Sequence, residues 1–399
     1  MVVVMGVLKG SRWFVLVVGL SVLSACGEDG RGGGGSRDAA TAADWGIVDA
    51  TTGKRDTSTV ERDSAVTPDS SGPDAAADAI VKRDAQDATS PGFRTCRDEP
   101  PGDAPTPPSL KSYSGSSCPQ LQSGKINTIE SSGSMREFML VVPGDYKQGE
   151  DLPVIFFWHW LGGDAKAFYE EAEIQKAVDT QRFIAVLPEE KGDLRTKWPY
   201  SRIDSESRLK EELGFFDDLL TCVAKQFGVN RHCVSSVGVS AGALWTAQLV
   251  GRRSEYLSSF ISLSGGVGDS DDQFASIKPW ETPKRAIPGV VLWGGPDDWC
   301  IVDFDEASKN LEEELEKEGN FFIECIHNCT HAQPPMKAPM GKSKYAALWD
   351  FVFEHPGWLQ EGKSPYQSSG LPSDMPKWCG IGKGSASIRM GMCGGSQCQ

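Results

Sequence analysis

From residue 137 onward, short apolar runs recur at 137–142, 154–158, 183–187, 235–239, 259–264, 290–293 and 321–326. Runs of this length, rich in Val, Ile, Phe and Trp and interrupted by polar stretches, read as strands. Between them lie helix-like segments at 165–180, 211–227, 241–251, 304–318 and 342–353. Several strands are apolar at nearly every position, as in Val154-Ile155-Phe156-Phe157-Trp158, which is expected where both faces of a sheet are covered. The alternation predicts an α/β protein with a mainly parallel sheet and helices on both faces.

The rest of the chain lacks this texture. Residues 27–95 are Asp, Ala, Ser, Thr, Gly and Pro with few large apolar side chains, and short echoes recur at Lys54-Arg55-Asp56, Glu61-Arg62-Asp63 and Lys82-Arg83-Asp84. Such a stretch buries too little surface to offset its ordering entropy and is expected to be an acidic, disordered tether. As a flexible coil it would span roughly 40–50 Å. Ahead of it stand Lys9 and Arg12, an apolar run from Trp13 to Leu23, and Leu23-Ser24-Ala25-Cys26. That order predicts a signal peptide over 1–25. Its ending resembles the lipobox of bacterial lipoproteins, which implies acylation of Cys26 and a lipid-anchored position outside the cytoplasm, at the outer membrane or cell surface. The main folded domain is predicted to run from 96 to 360, and a Cys-rich extension from 361 to 399.

A net charge of −15 argues against a nucleic-acid partner, which would need clustered Lys and Arg. Setting Cys26 aside leaves ten cysteines, at 96, 118, 222, 233, 300, 325, 329, 379, 393 and 398. An even number in an exported chain points to disulfides. Cys222 with Cys233, flanking a predicted helix-to-strand turn, is the expected local pair.

Candidate chemistry begins at Gly238-Val239-Ser240-Ala241-Gly242. The motif G-x-S-x-G carries weight only between a strand and a helix, and here it has both. A nucleophile on so sharp a turn needs small residues two positions to either side, and the amide of Ala241 would face an oxyanion formed on a bound acyl group. A serine hydroxyl also needs a base. Of the five histidines, His232 lies at the wrong end of the serine's strand, His355 follows the last helix, and His159 suits an oxyanion loop. His327 and His331 both follow the final strand, and His331, deeper in its loop, is the expected base, with His327 the alternative. The acid should fall between serine and histidine. Asp298 is favoured over its neighbour Asp297, both following the run Val290-Val291-Leu292-Trp293. Leu161, or alternatively Trp160, would supply the second oxyanion amide.

These residues resemble those of secreted α/β-hydrolase esterases of the feruloyl esterase, acetyl-xylan esterase and polyhydroxyalkanoate depolymerase group. The likeness covers roughly 136–353. The serine elbow maps onto Gly238 to Gly242, and the His-Gly oxyanion loop onto His159-Trp160. The G-x-x-D acid turn fits both Gly294 to Asp297 and Gly295 to Asp298, and the G-H-x-x-P turn maps onto Thr330-His331-Ala332-Gln333-Pro334. Trp160 and Thr330 stand where the group usually has glycine. The resemblance implies an α/β-hydrolase fold and a serine esterase without cofactor, acting on an ester that is polymeric in some of these enzymes.

Three competing expectations follow from the same residues. Cys325, His327, Cys329 and His331 alternate as donors in a zinc site would, although export favours disulfides and no H-E-x-x-H is present. Trp158, Trp160, Trp198, Trp293 and Trp299 fall near strand ends, where they would stack on a sugar or aromatic group or simply pack under loops. A non-catalytic surface-binding module on the same scaffold, or a serine peptidase, are the alternatives to an esterase.

Overall fold

The computed structural model describes residues 93–393. The predicted signal peptide, Cys26, nearly all of the tether and the last six residues, with Cys398, lie outside the described residues.

In chain order the elements are β1 (Lys125–Ser131), β2 (Ser134–Val141), β3 (Leu152–Trp158), α1 (Ala165–Glu171), α2 (Ile174–Gln181), β4 (Ile184–Pro188), α3 (Glu206–Gln226), β5 (Val229–Val239) and α4 (Ala241–Arg253). There follow β6 (Ser259–Leu263), β7 (Gly289–Trp293), the short β8 (Trp299–Cys300) and β9 (Val302–Asp303), α5 (Phe304–Lys317), β10 (Phe322–Ile326), α6 (Ala346–Phe353), α7 (Tyr366–Ser369) and β11 (Cys379–Ile381). Nine strands form one sheet in the order β1-β2-β4-β3-β5-β6-β7-β10-β11. The six from β4 to β10 run parallel, and β1, β2 and β11 are antiparallel additions at the two edges.

The apolar strands are explained by two cores. On one face, Phe156, Val234, Phe260 and Val291 pack with Leu219 of α3, Leu244 of α4 and Leu311 of α5. On the other, Ile155, Val237, Ile261 and Val290 pack with Phe168 of α1, Val178 of α2 and Trp349 of α6. Strands β3, β4, β6 and β7 are buried at every position, as a sheet covered on both faces requires.

Two expectations need correction. The helix expected over 165–180 is two helices, because Glu173 takes a left-handed φ of 51°, which a helix cannot pass through. The pair Cys222–Cys233 does not form. Cys222 belongs to the core on one face of the sheet and Cys233 to the core on the other, so the sheet itself separates them. The bonds are instead Cys96–Cys233, Cys118–Cys222, Cys325–Cys379 and Cys329–Cys393. The first two tie the segment ahead of β1 to β5 and α3, closing long loops that would otherwise cost conformational entropy on folding. Among the described residues no helix is long and apolar enough to cross a membrane.

Candidate active site

Ser240 sits between the end of β5 and the start of α4 with φ 54° and ψ −119°, a strained conformation for a non-glycine residue. Its amide is held by the carbonyl of Leu263 at 2.9 Å. The flanking glycines are required by close approach. A Cβ at Gly238 would lie 2.1 Å from the carbonyl oxygen of Gly242, and one at Gly242 would lie 2.0 Å from that of Trp158. The sequence therefore forces the turn, and the turn lifts the hydroxyl above the C-terminal edge of the parallel strands.

Three separate loops converge there. Ser240 Oγ and His331 Nε2 are 2.9 Å apart, and His331 Nδ1 lies 2.7 Å from Asp298 Oδ1. With the imidazole neutral, Nδ1–H donates to the carboxylate and the serine hydroxyl donates to Nε2. The His331 ring stacks on Phe304, the first residue of α5, with centroids 4.2 Å apart. Asp298 is fully buried, whereas Asp297 is exposed. Two further donors meet the other oxygen of Asp298: Ser264 Oγ at 2.7 Å and the amide of Gly294 at 2.6 Å. Burying a carboxylate is costly unless it is hydrogen-bonded in this way.

Ser264 was not foreseen. It follows β6 in the run Ser262-Leu263-Ser264-Gly265-Gly266, and its only signal was its place at a strand's C-terminal end, where α/β sheets gather functional groups. Glu189, just past β4, was missed as well. It accepts from the amide of Ala165 at 3.0 Å and lies 3.6 Å from His159 Nε2. Burial, reinforced by the negative charges of Asp164, Glu137 and Glu190, pushes the Glu189 carboxyl up to about 7, while its bond from Ala165 opposes the rise. Burial also lowers His159, so at neutral pH the imidazole is uncharged, with Nδ1–H donating to the carbonyl of Trp160 at 2.8 Å. His159 thus supports the loop that carries Trp160 and Leu161. Of the two expected oxyanion amides, that of Leu161 belongs to the loop after β3 and that of Ala241 to the first residue of α4, next to Ser240 in the chain.

Two of the remaining histidines are occupied elsewhere. His327 is buried, accepts from the amide of Cys329 at 3.1 Å, and is lowered to about 4 by burial. His355 is buried between Phe351 O and Ser364 Oγ, each at 2.7 Å. The zinc alternative loses its sulfur donors, because Cys325 and Cys329 are both in disulfides.

The tryptophans divide sharply. Trp158, Trp198 and Trp293 are buried, and their indole N–H groups donate to Ser236 Oγ, the carbonyl of His159 and Asp305 Oδ1 at 3.0, 2.8 and 3.0 Å. Trp299 is 61% exposed. Trp160 forms a wall of the cleft beside Ser240. Its ring folds over Gly163, where a Cβ would stand 2.6 Å from the indole, and packs 6.0 Å from Phe168.

That cleft is open to solvent and has a cavity volume of about 90 Å³. Phe168, Val239, Leu263, Leu292 and Trp349 join Trp160 in an apolar lining, with Ser240 and His331 at its base and Glu171 and Gln333 at its margin. Gln333 Nε2 donates to Glu171 Oε2.

Strand order, elbow and converging loops define an α/β-hydrolase fold, and comparison with solved structures gives the same answer. A pOPH variant in complex with DMSO covers 68% of this chain and 98% of its own, with a TM-score of 0.56 at 14% identity. Native pOPH covers 67% and 97%, with a TM-score of 0.53 at 15% identity. At these identities the likeness establishes the fold alone. In sequence, the chain is 24% identical over 158 residues to feruloyl esterase D of Neurospora crassa, which is 37% of this chain and 51% of that protein. The chain thus spans about half the length of the curated relative it matches. No family model matches it.

Proposed function

We propose that this chain hydrolyses carboxylic esters through a covalent acyl-serine intermediate. The observation that carries the reading is the unbroken hydrogen-bond chain from Ser240 through His331 to buried Asp298, opening into an apolar cleft. His331 Nε2 takes the hydroxyl proton as Ser240 Oγ attacks the ester carbonyl, and Asp298 stabilises the imidazolium that forms. The amides of Ala241 and Leu161 stabilise the tetrahedral oxyanion. The proton then passes from His331 to the departing alcohol, and a water activated by the same imidazole releases the acid.

The lining favours an uncharged acyl group, since a carboxylate placed against Val239, Leu263 and Leu292 would be desolvated without a cation to receive it. Acetyl and feruloyl esters of polysaccharides, and polyhydroxyalkanoates, are the substrate classes the resemblance suggests, and the match to a protein named feruloyl esterase D supports the second of these. The four disulfides between described cysteines fit an oxidising compartment. We place the protein at the cell envelope, held by acylated Cys26, with transfer to the soluble fraction on Cys26→Ser as the check.

The decisive experiment is a panel of 4-nitrophenyl and methyl hydroxycinnamate esters, beside amide reporters, with wild type and Ser240→Ala. Hydrolysis lost by several orders of magnitude in the variant is expected, since such groups act as a unit. Folded wild type that is inert on every ester would favour the surface-binding alternative, and cleavage of the amides would favour a peptidase.

A further inference from the structure

The segment between β10 and α6 carries His331 but contains no helix or strand of its own, so no ladder fixes its course. On one side it is held by the acid turn, with His327 N donating to Trp293 O at 2.9 Å and Thr330 N to Gly294 O at 3.2 Å. β7 holds Cys325 and Ile326 in the sheet, and the C-terminal extension grips residues 325–329 from the other side. β11 pairs with β10 in the register Cys325↔Cys379, where a disulfide also joins them. A second disulfide joins Cys329 to Cys393, two residues from His331. Between the two, Ile326 N donates to Trp378 O at 3.3 Å and Arg389 N to Ile326 O at 2.9 Å. Asn328 Nδ2 donates to Gly391 O at 2.8 Å and Arg389 Nη1 to Asn328 Oδ1 at 2.7 Å.

The loop needs this support. Thr330, immediately before His331, has φ 57°. A β-branched residue in that region is strained and persists only where its surroundings over-determine the backbone. Cys329, the residue before it, is one of the points at which the extension grips.

We propose that the C-terminal extension is a clasp that positions His331 against Ser240, with Cys393 and Arg389 acting through Cys329 and Asn328. These are positioning residues, and the inference rests on the reading of His331 as the base. It assigns the Cys-rich extension a part in turnover beyond closing a sheet edge.

The test uses the full chain. Cys329→Ser/Cys393→Ser removes the grip, and Cys96→Ser/Cys233→Ser removes a disulfide remote from the loop. With a 4-nitrophenyl ester, kcat of the clasp variant is expected to fall about 10–100-fold with KM little changed, because small displacements of a reacting group carry penalties of that order. Labelling of Ser240 by a fluorophosphonate should slow by the same factor. The remote variant should melt earlier and keep its kcat. Arg389→Gln, which retains every disulfide, should lower kcat several-fold, and Arg389→Lys should restore most of it. This arm decides the matter if the double variant does not fold. A substrate-free reading separates the clasp from the esterase assignment: the downfield proton NMR signal of the His331–Asp298 bond should broaden or vanish in the clasp variant and persist in the remote one. Unchanged kcat in Arg389→Gln, equal kcat losses in the two disulfide variants, or an unaltered NMR signal in the clasp variant would overturn the proposal. Wild type that gives the signal, and loses it with the clasp, yet hydrolyses no ester would overturn only the esterase reading.

Discussion

Replacing Asp298 by asparagine tests the site at its most constrained point. Two donors, Ser264 Oγ at 2.7 Å and Gly294 N at 2.6 Å, converge on Oδ2, and His331 Nδ1 meets Oδ1 at 2.7 Å. An asparagine has one acceptor oxygen and one NH2, so the pair of donors fixes its oxygen at the Oδ2 position. Its NH2 then faces His331 Nδ1, which must become an acceptor, and the ring proton moves to Nε2. Nε2–H would point at Ser240 Oγ, 2.9 Å away, leaving no lone pair to take the hydroxyl proton. A serine-histidine pair in the wrong tautomer loses on the order of 10⁴ in kcat, which corresponds to about 5.4 kcal/mol of transition-state stabilisation. The side-chain shape and two of the three contacts survive, so the variant should still melt cooperatively. Exposed Asp297 accepts none of these bonds, and Asp297→Asn should stay within about twofold of wild type, as surface changes do. The assay is steady-state hydrolysis of 4-nitrophenyl acetate against a Ser240→Ala background. More than a tenth of wild-type kcat in Asp298→Asn, or an equal loss in Asp297→Asn, would refute the reasoning.

Ser264→Ala removes one donor to the same carboxylate. Hydrogen bonds to charged groups contribute about 1.5–3 kcal/mol, so kcat/KM should fall roughly tenfold to a hundredfold, and an unchanged value would detach Ser264 from the site. Trp160→Ala removes the indole that walls the cleft, and the ratio of kcat/KM for hexanoyl over acetyl esters should rise about tenfold, the scale on which apolar pockets discriminate. A flat chain-length profile would show that Trp160 does not bound the acyl group. Glu312, buried in α5, is pushed up to about 9 by burial and then by the Glu324 carboxylate, from an ordinary value of 4.5. A carboxyl raised in the folded state contributes stability that is full below about 4.5 and is lost as pH climbs through about 9, near 1.4 kcal/mol per pH unit within that window. Glu312→Gln should therefore melt higher than wild type at pH 8 and show little difference at pH 4.5, and parallel melting curves across that range would contradict the assignment.

The legible part of the fold was the part buried on both sides. Strands β3, β4 and β7 announce themselves because two covered faces leave no polar positions to blur them, and β6 and β10 are interrupted only by Ser259, Ser262 and Glu324. β1 did not, since Lys125-Ile126-Asn127-Thr128-Ile129-Glu130-Ser131 buries only alternate residues along most of its length and lies at an edge. β11 is three residues long and owes its place to Cys379 and to the register with β10, neither of which leaves a pattern in the chain. The disulfides were illegible for a related reason. Cys222 and Cys233 are near neighbours in sequence, but pairing depends on which face of the sheet a side chain meets, and that is settled by the register of β5 and the rotation of α3 about its axis.

The site was legible to the extent that its chemistry is ordered along the chain. Ser240, the Asp297-Asp298 pair and His331 each follow a recognisable strand, and a parallel sheet delivers the ends of successive strands to one edge whatever the intervening loops contain. What local sequence could not supply was the choice within each loop. Asp298 and Asp297 are adjacent and chemically identical; only the turn through Gly294 and Gly295 buries the first and leaves the second in solvent. Thr330 shows the same limit from the other direction. A threonine before the histidine reads as a departure from the glycine of the resembling esterases, and its φ of 57° explains why glycine suits that position. The loop nevertheless keeps the glycine-like conformation, with Cys329 tied to Cys393 on one side and Thr330 N donating to Gly294 O on the other. The backbone freedom that the sequence lacks at residue 330 is thus replaced by tertiary contacts, one of them with a cysteine 64 residues further along the chain from Cys329.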